Sequence, residues 1–174
     1  MLLSTGIIGN IYQSNDFENR LVDYLPLEWY DAEKGVIRAY TANGVELGFR
    51  NLQGIPLQHG DVLFMDAARC IVVAIQPCHC LLISPADITE MAAIAFEIGN
   101  RHLPMSIDAE GKLLLAYEAP LHDFLQRGKY HVALVERILQ QMQTLKIHAW
   151  TGKTKFTISL SPEIDESTID LTAD

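Results

Sequence analysis

The 174 residues suit one domain of ordinary size or two small ones, and an apolar content of 49% is enough to bury a core, which excludes intrinsic disorder. The 22 acidic and 13 basic side chains leave a formal net charge of −9. With no basic stripe carrying interleaved aromatics, this charge excludes nucleic acid as a partner; it suits divalent cations and basic proteins instead.

No apolar run approaches the ~20 residues that span a bilayer, so no membrane contact is expected. Residues 1–11 lack the basic start and small-residue cleavage site of a signal peptide, so a cytoplasmic location is expected. Cys70, Cys78 and Cys80 are odd in number and clustered. They read as reduced thiols and not as a disulfide framework.

Residues 1–76 read as a β-rich domain. Asn43-Gly44 is a two-residue type I′ hairpin signal between strands at 36–41 and 45–50. A second hairpin is expected from 61–65 and 70–75, turning at 66–69. Many short strands with polar turns suggest a small sheet sandwich.

The pattern changes at Gln76-Pro77, and a second domain is placed at 77–150. Its elements read strand (80–84), helix (87–98), strand (103–107), a turn at 108–111, strand (112–118), helix (120–126) and strand (130–136). This β-α-β-β-α-β order is the ferredoxin-like split unit, so the fold class is α+β. Residues 137–150 fit either a helical stripe or a strand alternation. From 151 to 174 the chain forms a hydrophilic tail with one strand-like patch at 156–160 and an acidic end, expected to be mobile.

The helix after the first strand of this domain has clear punctuation. Ser84-Pro85-Ala86-Asp87 reads as a capping box with proline at the first helical position. Ile88, Met91, Ala92, Ala95 and Phe96 supply a stripe expected to be buried. Gly99 is the natural C′ residue, and Pro104 forces Leu103 into extended backbone. His102 is thereby held on a short, stiff segment just past a helix C-terminus, where orphan carbonyls favour positive charge.

Other groups of chemical interest read more simply. On a strand, Cys78 and Cys80 face one side and His79 the other, so the three cannot converge on a metal; structural cysteines are the better reading. His122 reads as a solvated helix residue. No G-x-S-x-G, H-E-x-x-H, P-loop or G-x-G-x-x-G is present, and the chain is not expected to be an enzyme. A thiol-dependent hydrolase would rest on the cysteine cluster alone.

The run Gly99-Asn100-Arg101-His102 after a helix of this length resembles the signature of the UreE urease accessory proteins, a family of dimeric nickel metallochaperones. A second match lies upstream in the right order: Leu27-Glu28-Trp29, Asn43-Gly44, Gly60-Asp61-Val62-Leu63 and Val72-Val73. The resemblance covers roughly residues 20–150. It implies a partner-binding N-terminal domain, the ferredoxin-like fold for the second domain, and extended structure at 137–150.

The resemblance also implies Ni(II) as bound cargo, with Zn(II) or Cu(II) able to substitute in vitro. The histidine of the signature, here His102, is implied as the central ligand. One imidazole holds a divalent ion poorly, whereas a residue near a two-fold axis is presented twice. Relatives add ligands from a late histidine or a histidine-rich tail. This sequence departs from that pattern, since nothing after His148 is a histidine, and His148 is the nearest candidate. The implied partners are a second copy of the chain, the urease accessory GTPase, and the apo-urease complex with its other accessory proteins. The alternative reading is a non-metal adaptor that uses both domains to bind another protein.

Overall fold

Alternating apolar and polar residues drive the first half of the chain into two small sheets. In the computed structural model, which describes residues 1–140, seven strands precede the domain change. They are β1 (Leu2–Ser4), β2 (Gly9–Asn10), β3 (Leu21–Leu27), β4 (Val36–Tyr40), β5 (Glu46–Arg50), β6 (Asp61–Met65) and β7 (Arg69–Ile75). One sheet has the order β1-β5-β4 and the other β2-β6-β7-β3. Leu25, Leu47, Phe49, Leu63, Ile71 and Val73 meet between them as a single apolar cluster. Burial of large aliphatic and aromatic groups on facing sheets is what holds this sandwich.

Pro26 sits within β3, which a central strand would not tolerate. β3 forms the edge of its sheet, pairing only with β7, and Pro26 lies opposite Ala74. The hairpin at Asn43-Gly44 forms, but not as a two-residue type I′ turn. Tyr40 pairs with Glu46, leaving a five-residue connection (41–45). Gly44 alone of the pair has positive φ, at 79°. Its N–H donates to the Thr41 carbonyl at 2.9 Å. The backbone N–H and side-chain amide of Asn43 both donate to Oδ1 of the buried Asp23, at 3.2 and 3.0 Å. That tie to a neighbouring strand holds Asn43 out of the left-handed conformation a type I′ turn requires.

The second half forms β8 (Cys78–Ile83), α1 (Ile88–Asn100), β9 (Ser106–Ile107), β10 (Leu113–Ala116), α2 (Ala119–Arg127) and β11 (Val132–Arg137). The sheet order is β11-β8-β10-β9 with every pair antiparallel. The first and third strands are therefore central, as the ferredoxin-like unit demands. Both helices cover one face. Ile94 and Ile98 of α1 and Leu121 and Leu125 of α2 pack against Leu81, Ile83, Leu113 and Leu115.

Two local expectations are corrected. α1 is capped by Asp87, whose side chain accepts from the N–H groups of Thr89 and Glu90. The Glu90 carboxylate reaches back to the Ala86 N–H at 2.8 Å. The box is thus Asp87 to Glu90, three residues later than Ser84, and Pro85 lies outside the helix. The core-facing stripe of α1 is Met91, Ile94 and Ile98. Ile88 and Phe96 of the expected stripe are 80% and 71% exposed, and Ala92 is exposed beside them. The strand expected at 103–107 shrinks to two residues, because the turn after α1 and Pro104 occupy its start.

Among the described residues, no helix is long and apolar enough to cross a membrane. The expectations for 141–150, for the tail at 151–174 and for His148 lie outside the described residues. Ile94 is fully buried between α1 and the sheet. Ile94→Ala should therefore cost about 2–5 kcal/mol, read from urea unfolding curves, with an unchanged denaturant slope.

Candidate metal centre

The end of α1 is built so that the chain reverses on His102. Arg101 is the C-cap. The His102 N–H donates to the Gly99 carbonyl at 3.0 Å and the Leu103 N–H to the Ile98 carbonyl at 3.3 Å. These two bonds form a Schellman closure, with Leu103 joining the apolar cluster that holds Ile98. The C′ residue of such a closure must adopt the left-handed conformation. His102 does so, with φ of 56°. Gly99, expected at C′, instead lies inside the helix.

Placing an L side chain at that position costs on the order of 1 kcal/mol relative to glycine. The chain thus carries an imidazole at the point where backbone preference asks for none. His102 is exposed.

Arg101 braces this corner. Its guanidinium contacts Glu97 within α1 at 2.7 Å and Glu118 at 3.5 Å. Glu118 is the N-cap of α2, and its carboxylate accepts from the Leu121 N–H at 2.6 Å. One arginine therefore ties the end of α1 to the start of α2. The Glu97–Arg101 spacing is a legible i,i+4 helical pair, but nothing in the sequence signals the longer-range contact to Glu118.

The other histidines among the described residues sit on other elements. His59 stacks on Tyr12, with ring centroids 5.8 Å apart. His79 is exposed on β8. His122 is half-buried, more covered than a solvated helix residue; its ring lies 5.6 Å from Tyr117 and its Nε2 3.2 Å from the Gln126 amide. Among the described residues, no three His, Cys, Asp or Glu side chains converge where they could hold a metal ion. Cys78 and Cys80 share one face of β8, as the alternation requires, with their sulfurs 3.7 Å apart. Cys80 is buried and Cys78 partly so. Burial, with the adjacent Cys78 thiol adding to it, pushes the Cys80 thiol up to about 12; burial also raises Cys78.

Two family models account for almost all of the described fold. The N-terminal domain of the UreE urease accessory protein matches residues 5–76, and its C-terminal domain matches residues 78–150. The chain belongs to the UreE urease accessory family. A urease accessory protein UreE of Flavobacterium johnsoniae is 39% identical over 121 residues, covering 69% of this chain and 73% of the relative. One from Acetivibrio thermocellus is 39% identical over 106 residues, covering 61% and 69%. One from Lysinibacillus sphaericus is 29% identical over 140 residues, covering 80% and 94%.

The strain at C′ has a measurable consequence. His102→Gly should raise stability by up to about 1 kcal/mol, less the extra unfolded-state entropy of glycine. His102→Ala keeps the left-handed penalty and should not. Paired urea titrations of the two variants check this.

Proposed function

We propose that the protein is a nickel-binding metallochaperone that delivers Ni(II) for assembly of the urease active site. The single observation that carries the reading is the exposed His102, held in a left-handed conformation at the Schellman closure of α1. A residue kept at a conformational cost on an exposed corner points to a role for its side chain. Imidazole suits nickel, and one imidazole is too few ligands for it.

The missing ligands are best supplied by a second copy. Among the described residues no group of three His, Cys, Asp or Glu side chains could hold a metal ion, which supports a site completed by a second copy. α1 carries an exposed apolar stripe of Ile88, Ala92 and Phe96 at i, i+4 and i+8 that ends one turn before the corner. Burying that stripe against its own symmetry mate would bring two copies of His102 to one axis. His148 is the candidate to complete the coordination. A site shared between subunits and exposed to solvent suits handover, and it needs no catalytic residue.

The partners proposed are the urease accessory GTPase and the apo-urease complex with its other accessory proteins, in the cytoplasm. Membership in the accessory family and the matches to proteins named for urease support this part of the reading. A non-metal adaptor built on the same two domains would retain the dimer and the partner surfaces without the ligand chemistry.

Calorimetry separates these. The tight site should titrate at one Ni²⁺ per dimer, vanish in His102→Ala with circular dichroism unchanged, and weaken as pH falls through the ordinary imidazole range near about 6.5. Undiminished affinity in that variant, or one tight metal per chain independent of dimer formation, would remove the assignment.

A further expectation concerns the end of the chain, which beyond Trp150 offers neither histidine nor cysteine. Carboxylates compete poorly with imidazole for nickel. Truncation after Leu160 should therefore leave the tight site nearly unchanged, whereas His148→Ala should weaken it. Both proteins are compared at one pH and ionic strength, because the acidic end adds a screened attraction. A large loss on truncation alone would place the second ligand group in the tail.

A further inference from the structure

β4 is the outer strand of the sheet β1-β5-β4, and no strand among the described residues pairs with its far side. The Thr41 N–H donates to the Val45 carbonyl and the Asn51 N–H to the Gly35 carbonyl, at 2.9 and 2.8 Å. In that register the odd-numbered residues of β4 bond to β5. The N–H and C=O groups of Val36, Arg38 and Tyr40 therefore point outward, with no backbone partner among the described residues. An edge of this kind invites another strand, and folds guard it with proline, a bulge or charge. The β3 edge carries Pro26. β4 has no proline, its register with β5 is unbroken, and its one charge, Arg38, is neutralised by Glu46 at 2.5 Å.

The side chains beside this edge are apolar. On the outer face of the sheet, register sets Val36 beside Arg50, and Arg38 beside Gly48 and Leu3. Gly48 brings no side chain, and a trough of about 390 Å³ opens there, lined by Leu3, Val36, Arg38 and Arg50. Leu3, Val36 and Tyr40 are 72%, 69% and 61% exposed, on a face that is ordinarily polar when it meets water. Arg50, at the rim, makes no ion pair among the described residues.

The chain itself supplies a segment of matching chemistry, outside the described residues. Phe156, Ile158 and Leu160 alternate with Thr157 and Ser159, and Glu163, Asp165 and Glu166 follow with no basic residue between. The described residues also end on this same domain. The Gln140 side chain accepts from the His59 N–H at 3.3 Å. Close to His59, the Leu57 N–H donates to the Ala32 carbonyl, shortly before β4 begins. The 15 residues from 141 to 155 reach about 50 Å at full extension, against ~17 Å for the length of β4.

We propose that residues 156–160 add to the free edge of β4 as an antiparallel strand, with Leu160 opposite Val36, Ile158 opposite Arg38 and Phe156 opposite Tyr40. Bonding positions and faces agree in that register. The outward groups of β4 meet those of 156, 158 and 160, and the three apolar side chains share the apolar outer face. Ile158 lies along the aliphatic stem of Arg38. The antiparallel direction carries Glu163, Asp165 and Glu166 past Val36 toward Arg50, so the charges complement one another. A second copy of β4 is a poorer occupant, because pairing over the same three residues sets Arg38 against Arg38. The added strand closes the edge to other chains, and the inference stands apart from the nickel reading.

Amide hydrogen exchange on the full-length protein, followed residue by residue by NMR, reads the pairing directly. The N–H groups of Val36, Arg38 and Tyr40 should exchange at least tenfold more slowly in the wild type than in Ile158→Pro, which removes the N–H facing Arg38. Those of Ile37 and Ala39, bonded to β5, should not change, which shows that the domain remains folded. Phe156→Ser keeps every backbone donor and should lower the protection severalfold by removing the contact with Tyr40. Rapid exchange of the three outward groups in the wild type, or protection undiminished in Ile158→Pro, overturns the proposal. So does protection that rises with protein concentration, which would assign the strand to a second copy.

Discussion

The corner after α1 depends on one backbone hydrogen bond, from the Leu103 N–H to the Ile98 carbonyl. That bond closes the helix, turns the chain toward β9 and seats Leu103 on the apolar cluster beneath. Its geometry demands a left-handed residue at 102. Every feature of the candidate centre follows from this demand. The imidazole is pushed outward and β9 cannot start before Ser106. Arg101, immediately before the reversal, is left to span from Glu97 to Glu118.

On the proposed reading, a rigid corner presenting one imidazole would make an incomplete metal site, and the incompleteness would serve handover. A closed site with all its ligands from one chain would hold nickel as a structural ion. An open one, completed across a two-fold axis, binds when the dimer assembles and gives up ligands one at a time to a competing partner. The exposed apolar stripe of Ile88, Ala92 and Phe96 lies on the helix that ends at the His102 corner. Dimer burial and metal ligation would then be thermodynamically coupled, each strengthening the other by mass action.

Much of this was legible from the residues. The β-rich first half, the β-α-β-β-α-β order and the position of the signature histidine all follow from alternation, capping residues and the Gly-Asn-Arg-His run. What the sequence mis-stated is equally physical. It assigned Ile88, Ala92 and Phe96 to the core, because an apolar residue carries no mark of whether it is covered by its own fold or left open on the surface. It placed C′ at Gly99, because glycine is the cheapest occupant of a left-handed position; the chain spends that position on His102 instead. It read Asn43-Gly44 as a two-residue turn, because the competing acceptor, Asp23, is twenty residues away in sequence. The 3.7 Å approach of the two sulfurs also required the folded strand, since alternation gives a shared face but not a distance.

The central claim is that two copies of His102 meet at one nickel ion. A crystal structure of the nickel-loaded dimer, with diffraction collected at the nickel absorption edge, tests it most directly. The account predicts a single anomalous peak on the two-fold axis, at coordination distance from the imidazole of each His102. A peak held within one chain away from His102, or an interface that leaves the two His102 rings too far apart to share an ion, would contradict it.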